Sequence, residues 1–498
     1  MIRTAGALLS GAIAVFAFAP FNLPLFALLS PAALFLLLKD TQPRKAAWIG
    51  WCYGCGFFGA GVSWVWVSIH VYGGVSALLA TLATSLFVMA LALLFALQAW
   101  LLMRVCRRKT TLWLGFIALW IAFEWLRSWF LTGFPWLLLG YAWLDTPLKS
   151  LAGLWGVWGL SLMTLCLATG SAQAIVQRSV TPLLLALALP LLSWSLPDNW
   201  TTEKPDSHLQ VALVQPNISQ HVKWEQRQLG DILQQQIDLS TPYQGYDLIV
   251  WPETAIPTLY YQAAPYTEDF FNQLDAAGTT LISGFPFMTY DSKDPDIRVF
   301  HNSLGIFSQG SGVYHKQRLV PFGEYVPLEQ QLRGLIGFFD LPMSEFSLPE
   351  YTDLMLQVGQ THLATLICYE IAYPELTRRS ALDSDMILTV SNDAWFDDSL
   401  AAEQHLQIAR MRALENGRWL IRGTNDGITA VIAPDGSLSQ RLSRDEPGVL
   451  SASIPAMQGQ TPYQKLGIWP VLAISLVLLL FSLRPRPWQA LKNHPVTG

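Results

Sequence analysis

Leu363-Ala364-Thr365-Leu366-Ile367-Cys368-Tyr369-Glu370 is an apolar run that turns polar immediately after a cysteine. It predicts a strand over 363–368 that delivers Cys368 at its end. Similar short, β-rich runs occur at 209–215, 247–251, 280–284, 302–307, 386–391 and 428–433. Between them, 222–239 and 403–417 carry the spacing of amphipathic helices, and Asn416-Gly417 is a stop signal for the second. Strands alternating with helices argue a layered α/β domain, and ligand sites in that class gather where strands end. Glu253 stands at such a place too, closing Leu248-Ile249-Val250-Trp251-Pro252-Glu253.

Around this domain the chain is far more apolar. Of its 498 residues, 52% are hydrophobic and 13% charged, where a soluble chain has about 25% charged. Residues 198–465 hold 33 of the 36 acids and 17 of the 31 basic residues, a net charge of −16 against +11 for the remainder. So acidic a surface argues against a nucleic-acid partner. Apolar runs at 5–20, 24–38, 47–70, 74–103, 111–131, 150–172, 180–196 and 467–483 are candidate spans, a span needing roughly 20 mostly apolar residues. The first two are broken by Pro20 and Pro24 and are either two tight spans or one re-entrant pair. The expected organisation is a membrane domain of about seven spans over 1–197, an extracytoplasmic domain over 198–465, and a C-terminal span with a cytoplasmic tail over 466–498.

Basic residues in short loops set the orientation. Arg3, Lys39, Arg44, Lys45, the cluster Arg104 to Lys109, Arg178, Arg484, Arg486 and Lys492 all fall on one side, which is therefore cytoplasmic. The acidic domain, lying between the seventh and eighth runs, is expected outside the cytoplasm. Glu124 and Arg127, three apart near the end of the fifth run, have the spacing to pair on one helix face. Charges in spans are costly and often functional, though an interfacial ion pair accounts for these equally well. Cys52, Cys55, Cys106 and Cys166 lie in apolar surroundings and read as packing residues.

Cys368 is the only cysteine of 198–465. An unpaired thiol in an oxidising compartment calls for an explanation. It is either a buried structural thiol or a nucleophile, for which a strand end beside a general base is the required setting. Glu253 is a candidate base, its other reading being a cap for the next helix. A lone lysine such as Lys316 is ordinarily solvated, but Pro321-Phe322-Gly323-Glu324-Tyr325-Val326-Pro327 after it looks like a shaped loop rather than a linker. His301 and His315 read as hydrogen-bonded side chains, and no His/Cys/Asp cluster has metal-ligand spacing, so no metal or other cofactor is expected. The segment 332–343 is too apolar for an ordinary solvent loop. It is either a buried connection or a flap hinged at Gly334 and Gly337, with Phe338 and Phe339 touching acyl chains or lipid.

Several motifs occur in a fixed order: Trp251-Pro252-Glu253-Thr254, Lys316 with its Pro321 to Pro327 loop, Cys368-Tyr369-Glu370, Asn392-Asp393-Ala394-Trp395-Phe396, and the helix from His405 to Arg418. With Glu124-Trp125-Leu126-Arg127 and Gly133-Phe134-Pro135-Trp136 in the apolar body, they resemble the nitrilase-like carbon–nitrogen hydrolase superfamily and, within it, the apolipoprotein N-acyltransferase family. The likeness covers nearly the whole chain. It departs from the family pattern at Asp397, where a glycine is common, and at Ala401-Ala402, in place of Gly-Pro.

The resemblance implies an αββα sandwich beside a multi-span α-helical membrane domain, and a Glu253–Lys316–Cys368 triad supported by Trp224, Glu324, Tyr369 and Glu370. It also implies the chemistry: a ping-pong transfer of the sn-1 acyl chain of a phospholipid, typically phosphatidylethanolamine, through a Cys368 thioester. The acceptor would be the N-terminal amine of diacylglyceryl-cysteine in an apolipoprotein, at the periplasmic face of the bacterial inner membrane. The alternatives are a membrane-tethered amidase or nitrilase, which would not need so many spans, a transporter, which would carry more polar residues in them, and a catalytically dead lipid-binding scaffold.

Overall fold

The structure is a computed structural model that describes residues 1–106, 108–321, 323–325, 346–352 and 355–483. Phe338 and Phe339, with the proposed hinges Gly334 and Gly337, lie outside the described residues.

Residues 202–458 form two six-stranded sheets. The strands are β1 (Thr202–Gln215), β2 (Leu248–Val250), β3 (Thr280–Tyr290), β4 (Arg298–Ser308), β5 (Val313–His315), β6 (Met355–Val358), β7 (Thr361–Ile367), β8 (Met386–Ser391), β9 (Leu420–Thr424), β10 (Ala430–Ile432), β11 (Leu438–Arg441) and β12 (Gly448–Gln458). Their orders are β12-β1-β2-β3-β4-β5 and β11-β10-β9-β8-β7-β6. In each sheet the central strands are parallel, β1–β2–β3 in one and β7–β8–β9 in the other, with antiparallel neighbours outside. Parallel strands covered on both faces are made of continuous apolar sequence, and every residue of β2, β8 and β9 is buried.

Alternate side chains of the two sheets meet face to face: Val211, Leu213, Val250, Ile282 and Leu304 from one, Leu363, Ile367, Leu388, Val390 and Ile421 from the other. The outer face of the first sheet is covered by helices Leu229–Ser240 and Tyr260–Ala277, which pack Leu233, Phe270, Phe271 and Leu274 around Trp251. The outer face of the second is covered by helices Pro374–Ser380 and Ala401–Asn416. The layers therefore run helix–sheet–sheet–helix.

The apolar core continues past Ala401–Asn416 into the N-terminal helices as one cluster. That helix is buried nearly all round, unlike the amphipathic helix its spacing predicts, because a sheet lies on one side and the apolar body on the other. Its polar side chains are satisfied across this junction. Trp136 Nε1 donates to Gln404 Oε1 at 2.6 Å, Gln407 Nε2 donates to Asn22 Oδ1 at 3.0 Å, and the Val157 N–H donates to Glu415 Oε1 at 2.6 Å. The helix ends at Gly417, whose positive φ of 57° closes a left-handed cap. A Cβ there would also meet the Thr201 side chain at 2.7 Å.

The apolar runs fold as helices. Ala77–Val105 and Leu151–Gln177 are each long and apolar enough to cross a membrane. Pro43–Gly61 and Val65–Tyr72 form a further span only if counted together across a 65° bend. Ile2–Ala17, Leu25–Leu38, Thr181–Ser195 and Trp469–Ser482 are shorter apolar helices. The shortening has local causes. Pro20 and Pro24 separate the first two helices, and Pro190 lies in a run that divides into Thr181–Ala186 and Ala188–Ser195. Arg3 donates to the Lys39 carbonyl at 3.1 Å, which places the outer ends of the first two helices together.

Glu124 and Arg127 do not pair with each other. Both hold the loop that follows their helix: Glu124 Oε1 accepts from the Leu139 N–H at 3.1 Å, and Arg127 donates to the carbonyls of Phe134, at 2.9 Å, and Trp136. A guanidinium carries donors in a fixed fork, and here the loop carbonyls use it.

Candidate active site

Glu253 follows β2, Lys316 follows β5 and Cys368 follows β7, so three strand ends deliver three side chains to one edge of the sandwich. Lys316 Nζ lies 3.2 Å from Glu253 Oε1 and 2.7 Å from Glu324 Oε1, with all three side chains buried. Asn302 Nδ2 donates to both carboxylates at 2.8 Å. The other oxygens are held by backbone, Glu253 Oε2 by the Asn392 N–H at 2.9 Å and Glu324 Oε2 by the Val320 N–H at 2.8 Å. The Glu253 carbonyl accepts from Lys223 Nζ at 3.0 Å. Two acids thus surround one buried lysine, with a second buried lysine against the Glu253 backbone.

Cys368 has φ +53°, the left-handed region that a non-glycine residue rarely adopts. Strain of this kind costs of order 1–3 kcal/mol and gathers at functional sites. The Ser391 hydroxyl oxygen lies 3.4 Å from its sulfur, and His405 Nε2 bonds its carbonyl at 3.1 Å. Burial and the Glu253 carboxylate push the Cys368 thiol up, against the pull of Lys316. Burial alone would push Lys316 down, but Glu253 and Glu324 outweigh it and hold the ammonium well above its ordinary range. The resting site therefore keeps a protonated thiol and a protonated lysine.

Glu370 ties this arrangement together. Its Oε1 accepts from the Gln317 and Arg318 N–H groups at 2.6 and 3.1 Å, directly after Lys316. Its Oε2 accepts from the Ile367 N–H and the Tyr314 hydroxyl, each at 2.8 Å. One carboxyl thus fastens the lysine segment to the cysteine turn. Burial pushes its pKa up to about 7, against these hydrogen bonds and Lys316.

Tyr369 faces the apolar body. It stacks on Trp136 and donates to the Gly133 carbonyl at 3.2 Å, while the neighbouring Tyr373 hydroxyl donates to Thr132 at 2.9 Å. Trp224 joins Leu319, Phe346, Phe300, Tyr325 and Trp395 in a small apolar cluster on the lysine-loop side. Asp397, the departure from the family pattern, has φ +46°. A glycine carries no Cβ penalty in that conformation, which is why the position suits one. Among the described residues no group of three or more His, Cys, Asp or Glu could hold a metal ion.

Sequence reasoning passed over Asn302, Lys223 and Arg422, and it quoted Asp393 and His405 only as members of motifs, with no role of their own. Arg422 Nη2 lies 2.7 Å from Asp393 Oδ2 and 3.1 Å from His405 Nδ1. One signal was present for Asn302, since His301-Asn302-Ser303 puts three polar residues in a strand otherwise apolar. His301 and His315 are hydrogen bonded, to the Ser347 carbonyl at 2.8 Å and the Ser303 hydroxyl at 2.7 Å.

Residues 10–170 match the apolipoprotein N-acyltransferase N-terminal domain, and residues 210–463 match the carbon-nitrogen hydrolase family. The chain is 43% identical to the apolipoprotein N-acyltransferase of Pseudomonas syringae pv. tomato, over 96% of each protein. It is 43% identical to that of Azotobacter vinelandii, over 96% of this chain and 94% of the relative, and 39% identical to that of Vibrio vulnificus, over 96% of each. Among solved structures, an amidase of the nitrilase superfamily from Nesterenkonia aligns with 51% of this chain and 93% of its own, at 21% identity and a TM-score of 0.34.

Proposed function

The chain belongs to the apolipoprotein N-acyltransferase family, and from that premise we propose that Cys368 carries an acyl chain from a membrane phospholipid to a lipoprotein amine. The observation that carries this reading is the buried Glu253–Lys316–Glu324 cluster beside a strained cysteine. Glu253 takes the thiol proton, and the sulfur attacks the carbonyl carbon of the sn-1 ester. Lys316 and a backbone N–H stabilise the oxyanion, the class of interaction on which acyl transfer most depends. The intermediate collapses by breaking the ester C–O bond. The lysophospholipid oxygen leaves with the proton from Glu253, and a thioester remains.

In the second half-reaction the free amine of a diacylglyceryl-cysteine adds to the thioester carbon. Glu253 receives the amine proton, the C–S bond breaks, and the sulfur recovers its proton. No redox partner is required. Phosphatidylethanolamine is the expected donor. Trp224 and Tyr369 act as walls for the acyl chains, while Glu324 and Glu370 hold Lys316 in place.

In this reading 1–197 and the helix after 466 sit in the bacterial inner membrane, and 198–465 lies on its periplasmic side. The loop basic residues support that orientation. Placing the site on the bilayer has a physical reason, because drawing an acyl chain into water costs about 0.8 kcal/mol per CH₂.

The test is intact-mass analysis of purified protein incubated with phospholipid alone. One acyl adduct on Cys368 is expected, with one equivalent of lysophospholipid released in a burst. A diacylated peptide with a free N-terminal amine should clear the adduct, whereas its acetylated counterpart should not. Sustained release of free fatty acid, indifferent to the peptide, would show a membrane-bound hydrolase instead.

A further inference from the structure

His405 lies on Ala401–Asn416, between Gln404 and Gln407, which bond the apolar body, and it is fully buried. Its Nε2 is 3.1 Å from the Cys368 carbonyl oxygen, which can only accept, so Nε2 carries the hydrogen. Its Nδ1 lies between Arg422 Nη2, at 3.1 Å, and Asp393 Oδ1, at 3.2 Å. Asp393 Oδ2 also holds that guanidinium at 2.7 Å, and Asp393 accepts from the Ser391 hydroxyl. Both ring nitrogens are thus held, and the Nε2–H is a donor aimed at one carbonyl. Burial and the Arg422 charge push its pKa down, against the pull of Asp393.

The Cys368 carbonyl shares a peptide unit with the Tyr369 N–H. In a trans peptide the two point in opposite directions. A donor fixed on the carbonyl therefore fixes the direction of the N–H, away from the helix that carries His405. Among the described residues the Tyr369 N–H makes no hydrogen bond. A free donor on the residue after the nucleophile, in a peptide whose other end is clamped, has the geometry of an oxyanion donor.

We propose that His405 is a positioning residue that aims the Tyr369 N–H at the oxyanion of the acyl transfer, through its hydrogen bond to the Cys368 carbonyl. This rests on the reading of Cys368 as the acyl carrier. Arg422 and Asp393 hold the orientation of the ring through Nδ1. Its effect falls on carbonyl addition and not on the thiol as such.

That separation gives the test. Thioester formation from phospholipid develops an oxyanion; alkylation of the same sulfur by iodoacetamide displaces iodide and develops none. With the full-length protein in detergent, His405→Met should slow thioester formation by about 100-fold or more, the usual effect of losing an oxyanion donor. Alkylation of Cys368 should stay within about threefold of the unaltered protein, which also certifies the fold. His405→Gln places an amide donor near the Nε2 position and should recover at least a tenth of the rate. Should His405→Met not fold, His405→Asn takes its place, since its amide falls short of the Cys368 carbonyl. Equal losses in the two assays, or no loss in either, would overturn the inference. If the unaltered protein forms no thioester, the acyl-transfer reading itself fails, an outcome distinct from a variant that keeps pace with an active parent.

Discussion

Glu370→Gln should make the stability of the protein less sensitive to pH, with a sign that follows from the burial of the carboxyl. In the folded chain Glu370 is fully buried and its pKa is pushed from 4.5 up to about 7. A group whose folded value is raised contributes stability that is complete below the unfolded value and is lost as pH rises through the folded one. The loss therefore falls between pH 4.5 and about 7. At 1.36 kcal/mol per pH unit it amounts to about 3 kcal/mol. Glutamine has the shape of the protonated acid and does not ionise. Glu415 and Asp426 are also pushed up to about 7 by burial, but both proteins share them, so they cancel in the comparison. Unfolding of the full-length parent and variant in the same detergent, at pH 5 and pH 8, measures the effect. The parent should lose about 2.5 kcal/mol relative to the variant across that range, part of the total having gone below pH 5. A difference that stays constant with pH to within about 0.5 kcal/mol would refute the assignment, because a carboxyl ionised throughout gives no such slope.

Cys368→Ala should abolish both adduct and product, and Cys368→Ser should lose nearly all turnover, a hydroxyl being a far weaker nucleophile at neutral pH; peptide acylation followed by mass spectrometry decides both. Lys316→Met removes the cation that pulls the Cys368 thiol down, so iodoacetamide labelling at pH 8 should slow further; faster labelling would contradict the electrostatic account. Glu415→Ala strands the buried Arg412, whose Nη2 it accepts from at 3.1 Å, and frees the Val157 N–H. Breaking a buried pair in this way costs about 3–5 kcal/mol, so denaturant unfolding of the detergent-solubilised protein should shift by that amount, and a shift under 1 kcal/mol would mean the junction is hydrated.

The parts of the fold legible in the sequence are those where local pattern and tertiary role coincide. β2, β7 and β8 are continuous apolar strands because they are central and parallel, so periodicity finds them. β9 was missed because Arg422 and Gly423 interrupt it, and Arg422 belongs there only because Asp393 waits across the layer. β12 was missed because Pro455 and three small residues blur it; its antiparallel pairing with β1 supplies what its own sequence lacks. Helix Ala401–Asn416 was found, but its surroundings were not, since burial on two sides leaves no polar face to read. At the site, Glu253, Lys316 and Cys368 each close a strand and carry a visible change from apolar to polar. Asn302 and His405 act through bonds to residues 49 and 37 positions away, and no local pattern encodes a partner at that distance.

The junction with the apolar body explains why so buried a helix should be so polar. Apolar contact is non-directional and would let the sandwich slide over the helices beneath it at little cost. Hydrogen bonds weaken steeply off axis. Gln404, Gln407 and Glu415 each bond the apolar body, while His405, between the first two, bonds the Cys368 carbonyl. Tyr369 and Tyr373 add a second connection, from the cysteine turn directly to Gly133 and Thr132. That loop is in turn gripped by Arg127 and Glu124 through Phe134, Trp136 and Leu139. The sulfur is thus referenced to the apolar body by two independent polar routes. For a soluble substrate such referencing would be idle, since the ligand diffuses to the site wherever the site is. For a substrate whose ester lies at a fixed depth in a bilayer, the height and tilt of the nucleophile decide whether it can reach the carbonyl at all. Reaction rates fall by about 100-fold for misplacements near 1 Å. The charges in the apolar body therefore serve placement: Glu124 and Arg127 hold the platform on which the cysteine turn rests.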